Sequence, residues 1–369
     1  MNVCRLLSCM VVSTFLLSNG AWAQVVITTF SAGISPPTPL HSIAAGPDGN
    51  LWFTAQSANR VSRITPAGVV TEFSAGAGVG GQGGSVGTFG ITAGPDGNLW
   101  YTEFNLNRVG RITPLGVVTE FATCCSPIEI TAGPDGNVWF TEANNGKRVG
   151  RITPQGVLTE FDVSLTDSPE GIAAGPDGNL WYTLRNNNRI GRITPLGVVT
   201  EFSVGISPGA GPTRITAGPD GNLWFTELSG NRIGRITPLG VVTEFSAGIS
   251  ANAGLASITQ GPDGNLWFTE FNSKKFGRIT PLGIVTEFNA GSEAPFDITT
   301  GPDGNLWFTT ASRIGRITLG APPIVVPPPI VGVPLKNIPT LDQWALWLLG
   351  LLLIGTAGVT LRARKRNSN

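Results

Sequence analysis

The stretch GPDGNLWFT, residues 46–54, decides the fold because close copies of it recur along the chain. Seven copies start at residues 46, 94, 133, 175, 218, 261 and 301, and the last one ends at residue 309. The copies are 39 to 48 residues apart, which is the length of a propeller blade built from four strands. The repeat therefore predicts seven blades.

The order of segments inside one repeat supports this architecture. In the copy that starts at residue 218, a short apolar strand runs into Pro-Asp-Gly-Asn, a tight turn in which Pro presets φ and Gly accepts a positive φ. Three more strand-like segments follow, Leu-Trp-Phe-Thr, Arg-Ile-Gly-Arg-Ile-Thr and Val-Val-Thr-Glu-Phe, with Pro-Leu-Gly as a second turn. No repeat contains a helix-length pattern with a period of 3.6 residues, which excludes a helical solenoid.

Residues shared by every repeat are expected to build the scaffold. The repeated tryptophan is predicted to pack between blades, with stacking on a sugar or ligand as the other interpretation. The basic positions are predicted to pair with the outer-strand glutamates. These basic positions are Arg60, Arg108, Arg148, Arg189, Arg232, Lys275 and Arg313, with a second set from Arg63 to Arg316; the glutamates are Glu72, Glu120, Glu160, Glu201, Glu244 and Glu287.

The two ends of the repeat region predict how the ring closes. The seventh repeat stops at Gly320 without a fourth strand, whereas VVITTF, Val25–Phe30, matches the fourth-strand sequence GVVTEF. The N-terminal strand is therefore predicted to complete the last blade, which leaves no open sheet edge. The expected fold is an all-β, closed, seven-bladed propeller of four-stranded blades over residues 24–320, followed by a single C-terminal transmembrane helix.

Residues 1–23 are predicted to be a signal peptide. They contain Arg5, an apolar run and an Ala-Trp-Ala sequence that places cleavage before Gln24. A retained N-terminal anchor is the alternative, although the apolar run is short for a membrane span.

The other end of the chain is predicted to be a tether. Residues 321–337 form a Pro-rich linker that favours extended polyproline II structure. Residues 344–361 carry no charge, and at about 1.5 Å per residue a helix of this length crosses a bilayer. Four basic residues follow within 362–369 and favour a cytoplasmic C-terminus. An amphipathic or core helix is the other interpretation of this segment.

The sequence IPTL at the start of this region, before an apolar span and an Arg-rich end, resembles the IPTL-CTERM sorting tail of Gram-negative bacteria. That resemblance covers residues 338–369 and implies handling by an exosortase-like membrane peptidase. The expected location is outside the cytoplasm, tethered to the inner membrane or released to the cell surface after the tail is processed.

Charge and cysteine content limit the remaining possibilities. Positive charge gathers at the C-terminus, so the body of the chain is mildly acidic and gives no reason to expect nucleic acid as a partner. Only Cys124 and Cys125 remain after signal-peptide removal, and the sequence leaves open whether these neighbours form a disulfide. Their spacing does not match a zinc site.

Any binding site is predicted on the face that carries the variable loops, near the channel mouth. His41, the only histidine, and Glu170 precede inner strands and border the channel mouth. For His41, a mouth-lining or surface role is the alternative to a role as a base. Four carboxylates follow second strands and are candidates for binding a cation or a cationic ligand, with solvated glutamates paired to arginine as the alternative; they are Glu103, Glu142, Glu227 and Glu270.

Repeats of the form GPDGNLWFTE…NRIGRITPLGVVTEF resemble those of the streptogramin B lyases (virginiamycin B lyase family) over about residues 24–320. The resemblance implies a seven-bladed propeller in which Mg²⁺ positions a cyclic depsipeptide antibiotic and a histidine base opens its ester by elimination. Here Ala256 and Phe296 stand where the family has histidines, and Ala294 and Thr310-Ala311 stand where it has glutamates.

Two functions remain as hypotheses. The favoured one is a non-catalytic binding module, without a cofactor and expected to be a monomer, that takes a small molecule, peptide or glycan through His41, Glu170 and the four second-strand glutamates. The alternative is a Mg²⁺-dependent carbon-oxygen lyase that opens a cyclic ester with His41 as its base.

Overall fold

The computed structural model describes residues 25–320 apart from 37–38, 57, 77–86, 144–145 and 165. Within these ranges, 28 strands form seven antiparallel sheets of four strands each. Blade 1 contains β2 (Leu40–Ala45), β3 (Leu51–Ala55), β4 (Arg60–Ile64) and β5 (Val70–Ser74); blade 2 contains β6 (Thr88–Ala93), β7 (Leu99–Glu103), β8 (Arg108–Ile112) and β9 (Val118–Ala122); blade 3 contains β10 (Pro127–Ala132), β11 (Val138–Glu142), β12 (Arg148–Ile152) and β13 (Leu158–Asp162). Blade 4 contains β14 (Pro169–Ala174), β15 (Leu180–Leu184), β16 (Arg189–Ile193) and β17 (Val199–Phe202); blade 5 contains β18 (Pro212–Ala217), β19 (Leu223–Glu227), β20 (Arg232–Ile236) and β21 (Val242–Phe245). Blade 6 contains β22 (Leu255–Gln260), β23 (Leu266–Glu270), β24 (Lys275–Ile279) and β25 (Val285–Asn289); blade 7 contains β26 (Ile298–Thr300), β27 (Leu306–Thr309), β28 (Ile314–Leu319) and β1 (Val25–Phe30).

The predicted closure is confirmed. β1 pairs antiparallel with β28, from Val25 opposite Leu319 to Phe30 opposite Ile314, and supplies the fourth strand of blade 7. One 3-10 turn at Phe104–Leu106 interrupts the all-β pattern. No helix in the described ranges is long and apolar enough to cross a membrane. The predicted signal peptide, linker and C-terminal helix lie outside those ranges.

Each repeated tryptophan packs between two blades, as predicted. Trp52 of blade 1 is fully buried in a cluster with Leu99 and Tyr101 of blade 2. Its ring stacks on Phe73 with the centroids 5.3 Å apart, and its Nε1 donates to the Asp48 carboxylate. Burial of a large aromatic side chain at every blade boundary is a major stabilising contribution of this core.

The two sets of basic residues behave differently. Six members of the first set pair with outer-strand glutamates as predicted, for example Arg108 with Glu120 at 3.1 Å. The prediction is wrong for Arg313, which pairs with Glu293 at 3.0 Å because the outer strand of blade 7 has no glutamate. The prediction is wrong for the second set, because Arg63 pairs with Asp48 at 3.5 Å and lies over the Trp52 ring. Arg63 also donates to the carbonyl of Pro114 in the next blade, so the second set links neighbouring blades.

A buried threonine at the end of the second-strand motif also joins the blades at six of the seven boundaries. Thr183 receives the N–H of Gly171 in its own blade and donates to the carbonyl of Thr213 in the next blade. Thr309 donates to the carbonyl of His41, so the same link spans the boundary between the last blade and the first. This contact fixes the spacing of the inner strands around the channel.

The antiparallel order places the turns on two opposite faces. The Pro-Asp-Gly-Asn turns and the Thr-Pro-x-Gly turns lie together on one face, which we call the constant face. The second-to-third connections and the loops between blades lie on the other, which we call the variable face. Outer-strand glutamates hold some of those loops, as where Glu244 accepts hydrogen bonds from the Ser207 N–H and hydroxyl.

Candidate functional site

The variable face contains a cavity of about 610 Å³ at the channel mouth. Its walls are mostly apolar and include Phe89, Ile128, Leu255, Phe271 and Phe296. Polar side chains from blades 4 to 6 complete the lining, and they are Glu170, Arg185, Thr213, Arg214, Ser229, Asn231, Asn252 and Asn272. An apolar concavity of this size with a few polar groups is typical of a small-molecule site.

An ion pair between blades 3 and 5 lies beside the cavity, and its arginine is part of the cavity lining. Arg214 of blade 5 reaches Glu129 of blade 3, and both side chains are largely buried. Asp297 of blade 7 holds the neighbouring positions by accepting from the hydroxyls of Ser42 and Ser257 at 2.9 and 2.6 Å. Burial raises the pKa of Glu129, and Arg214 opposes that rise. The channel centre is therefore occupied by mutually paired charges.

His41 lies in the cavity wall, where sequence reasoning placed it. It is buried between Phe89 and Phe296, with each ring centroid 4.7 Å from that of the imidazole. Its Nδ1 has no hydrogen-bond partner among the described residues. Burial, and to a lesser extent Arg214, lowers the pKa of His41 to about 3. The imidazole is thus neutral at physiological pH and a weak base.

Glu170 also lines the cavity, at its more open side. Its carboxylate is 3.7 Å from the Arg185 guanidinium, and both side chains keep about a third of their surface exposed. Burial raises the pKa of Glu170, and Arg185 opposes this. This pair gives the cavity one charged, adjustable edge.

The four second-strand glutamates do not line the cavity. Glu103, Glu142, Glu227 and Glu270 are fully buried at the ends of β7, β11, β19 and β23.

The Glu103 carboxyl faces that of Glu120, and within the described part of the chain neither oxygen of Glu103 receives a hydrogen bond from another donor group. Burial and the Glu120 charge raise the pKa of Glu103 to about 8, so Glu103 keeps its proton at neutral pH. Burial raises the pKa of Glu142 and Glu227 to about 8 and that of Glu270 to about 7. The solvated alternative is wrong for these four glutamates, because each is buried beside an outer-strand glutamate. Glu227 does have the expected arginine nearby, with Arg232 at 3.9 Å. Cation binding by the four glutamates stays a prediction.

The carboxylates near the cavity do not fit a magnesium ion. Glu129 is paired with Arg214, Glu170 with Arg185, and Asp297 is saturated by hydroxyl and N–H donors. In the described part of the chain, no three His, Cys, Asp or Glu side chains come together to hold a metal ion. Mg²⁺ requires several oxygen ligands in a nearly octahedral arrangement, which these paired carboxylates do not offer.

The channel-centre charges were missed by sequence reasoning. Glu129, Arg214 and Asp297 each lie one position after the inner-strand position that holds His41 in blade 1 and Glu170 in blade 4. A signal was present, because the other four blades carry only Ser or Gly at that position. A charged residue at a repeat position that holds Ser or Gly in the other blades indicates a blade whose inner strand differs from the common repeat.

Comparison with known proteins identifies a family whose model matches this chain. A model described as the virginiamycin B lyase family matches residues 41–248 and 247–322, and the IPTL-CTERM motif matches residues 338–366. Virginiamycin B lyases of Bordetella parapertussis and Bordetella bronchiseptica are each 42% identical over 50 residues. Those matches span 14% of this chain and 16% of the relatives' own length.

The solved structures agree with the family model. A streptogramin B lyase structure shares 34% identity with a TM-score of 0.74, covering 80% of this chain and 98% of that one. A catalytically inactive virginiamycin B lyase from Staphylococcus aureus with quinupristin shares 37% identity with the same TM-score, covering 80% of this chain and all of that one. The match of the family model to most of the propeller, together with this fold, shows that the chain belongs to the virginiamycin B lyase family and carries an IPTL-CTERM motif.

Proposed function

We propose that the protein is an exported, membrane-tethered propeller that binds a ligand in the cavity of its variable face. The observation that supports this proposal is the cavity itself, about 610 Å³ with apolar walls and one charged edge. Its shape suits a compact ligand with apolar groups and a few polar ones, such as a small cyclic peptide or a glycan with an apolar substituent.

The lowered pKa of His41, the one histidine, favours binding without catalysis. With a pKa of about 3, His41 has little tendency to take a proton from carbon or oxygen at neutral pH. Ala256 and Phe296, at the positions where the family resemblance expects histidines, have no basic side chain and line the same cavity. These features support recognition of a ligand by shape and burial.

The proposed cellular location of the protein rests on its C-terminal motif. The IPTL-CTERM match over residues 338–366 supports export and sorting by an exosortase-like peptidase. Deleting residues 338–369 is expected to move the protein from the membrane fraction to the soluble exported fraction. Unchanged fractionation of the shortened chain would contradict the tether.

The binding proposal is tested by calorimetric titration of the purified full chain. Quinupristin, the compound present with a structural relative, is the first probe, followed by a panel of small peptides and glycans. We expect saturable binding that is lost in Ala256→Trp, which fills the cavity, and kept in Ala67→Trp, a matched change in an exposed turn of the constant face.

The same samples decide between binding and lyase activity. Mass spectrometry of quinupristin recovered after incubation with Mg²⁺ is expected to show the intact ring. Ring opening that disappears in His41→Ala would overturn the non-catalytic proposal and establish the lyase alternative. Failure of the whole panel to bind would contradict the cavity as a ligand site.

A further inference from the structure

Exposed apolar side chains gather on the constant face, which the proposed function does not use. Of the thirteen large apolar residues that are exposed in the described ranges, eleven lie there. Leucines at the tips of the Thr-Pro-Leu-Gly turns are 85–89% exposed, and they are Leu115, Leu196, Leu239 and Leu282. A β-branched residue beside the turn is 53–63% exposed in every blade, and these residues are Val26, Val69, Val117, Val157, Val198, Val241 and Ile284. Together they form a ring, which we call the apolar ring.

The turn geometry does not require these leucines. In the turn after β20, Pro238 presets φ and Gly240 adopts a φ of +89°, which supplies the reversal of the chain. The residue between them points into solvent, and blades 1 and 3 place Ala67 and Gln155 at the same position. Leucine in four other blades therefore has no role inside the propeller. Large exposed apolar side chains gathered on one face of a protein mark a site of contact with another phase or partner.

Six of the seven turn aspartates on this face are paired with arginine. Each of these aspartates, in the Pro-Asp-Gly-Asn turn, pairs with an arginine of its own blade. In blade 5, for example, Asp220 lies 3.8 Å from Arg235. The same arrangement is seen in blades 1, 2, 3, 4 and 6. The arginines lie beneath the turns against aromatic rings, so the outermost side chains of the face are the apolar ones. Contact through this face is expected to depend on apolar burial and only weakly on salt.

The chain enters and leaves the propeller at this same face. β28 runs from the variable face to the constant face and ends at Leu319, and its partner β1 begins there at Val25. The 49 residues that follow Gly320 include the uncharged segment 344–361 and its basic end. A tether held by that segment therefore originates on the side of the molecule that bears the apolar ring.

We propose that the constant face is a membrane-contact surface whose apolar ring inserts into the headgroup region of a lipid bilayer. Leucine and valine tips at one level enter the boundary between headgroups and acyl chains without carrying charge with them. The propeller then lies flat on the bilayer, with the cavity on the variable face pointing away from it. The tether brings the propeller to the membrane, and the apolar ring sets its orientation.

The test uses the full chain reconstituted with vesicles of phosphatidylethanolamine and phosphatidylglycerol whose acyl chains are brominated. A fluorescent non-natural amino acid replaces Gln155, which is exposed on the constant face, and in a second sample Val204, which is exposed on the variable face. Vesicles are floated first, so that fluorescence is read from bound protein only. We expect bromine quenching of the probe at position 155 and none at position 204.

A matched variant separates the apolar ring from the tether. Replacing the four turn leucines with serine is expected to abolish most of the quenching at position 155 while flotation through the tail persists. These leucines make no packing contacts in the core clusters, and an unchanged thermal transition checks that the variant folds. Quenching at position 155 that is insensitive to salt and to phosphatidylglycerol content supports apolar insertion.

Other outcomes overturn the proposal. Equal quenching at positions 155 and 204, no quenching in floated protein, or no flotation at all would each show that this face does not contact lipid. A blue-shifted probe at position 155 in vesicle-free protein would assign the face to another occupant. Dependence of that shift on protein concentration would identify a second copy, and independence would identify the chain's own C-terminal segment.

Discussion

Replacing Glu103 with glutamine tests whether the buried acid–carboxylate pairs control stability. Glu103 is fully buried against Glu120, and its pKa is raised from 4.5 to about 8, first by burial and then by the Glu120 charge. The folded protein keeps the Glu103 proton up to about pH 8, whereas the unfolded chain releases it near pH 4.5. The contribution to stability is therefore fully present below about pH 4.5 and is lost as the pH rises through about 8.

The magnitude follows from the size of that shift. Each pH unit within the window removes about 1.4 kcal/mol of the free energy of unfolding, or roughly 4 to 5 kcal/mol over the whole window. Glutamine at position 103 is neutral at every pH and can donate its amide N–H to Glu120. The difference in unfolding free energy, Glu103→Gln minus wild type, is expected to grow by about 1.4 kcal/mol per unit between pH 5.5 and 7.5.

Urea unfolding of both proteins at half-unit steps from pH 5 to pH 9 measures this difference. The double variant Glu103→Gln/Glu227→Gln serves as an internal control, because Glu227 lies in blade 5 and its pKa is raised in the same way. Removing both raised carboxyls should about double the change per pH unit in the stability difference from wild type. A difference between variant and wild type that stays constant from pH 5 to pH 9 would refute the raised pKa of Glu103. A constant offset alone would indicate a packing effect.

Three further results are expected. Thr183→Val removes the link between blades 4 and 5 and should lower the free energy of unfolding by about 1–3 kcal/mol, because it leaves the Gly171 N–H and the Thr213 carbonyl without their partner. Arg214→Gln should cost about 3–5 kcal/mol by leaving Glu129 buried and unpaired, and adding Glu129→Gln should recover much of that loss. Cys124 and Cys125 are both free thiols, and iodoacetamide should label Cys124 first because it is exposed and burial raises the pKa of Cys125 to about 12.

Each of these results has a control and a contradicting outcome. Thr200→Val in the outer strand of blade 4 should cost less than Thr183→Val in the same urea titration, and equal losses would remove the special role of the buried link. Failure of the double variant to exceed Arg214→Gln in stability would contradict an unpaired Glu129. Peptide mapping that shows equal labelling of the two thiols, or a mass two units lower from a disulfide, would contradict the cysteine assignment.

The fold was predictable because the information is local and repeated. Pro-Asp-Gly-Asn and Thr-Pro-x-Gly specify turns from their own backbone preferences, and the segments between them are too short for helices. Closure could be predicted because Val25–Phe30 supplies the one fourth strand that the last repeat lacks. These inferences needed no knowledge of how side chains meet across the ring.

The site was predictable only in part. His41 and Glu170 were placed at the cavity because they precede inner strands, and the structure has them there. Burial of the second-strand glutamates could not be foreseen, because every position of a strand such as Leu99–Glu103 is buried between blades. The usual alternation of buried and exposed residues therefore gives no signal in these strands. The pairing of Arg214 with Glu129 depends on the channel diameter, which appears only once the ring is closed.

The pairing of β1 with β28 has a consequence for the timing of folding. Partners in this ladder are about 290 positions apart, whereas the strands within each of the other blades are neighbours in sequence. The other six blades can form their hairpins as the chain emerges from a ribosome or a translocation pore. The first strand to emerge must remain unpaired until the last one arrives. A nascent chain cut short before Ile314 would leave an incomplete blade with exposed edges, which are the features that proteases and aggregation recognise.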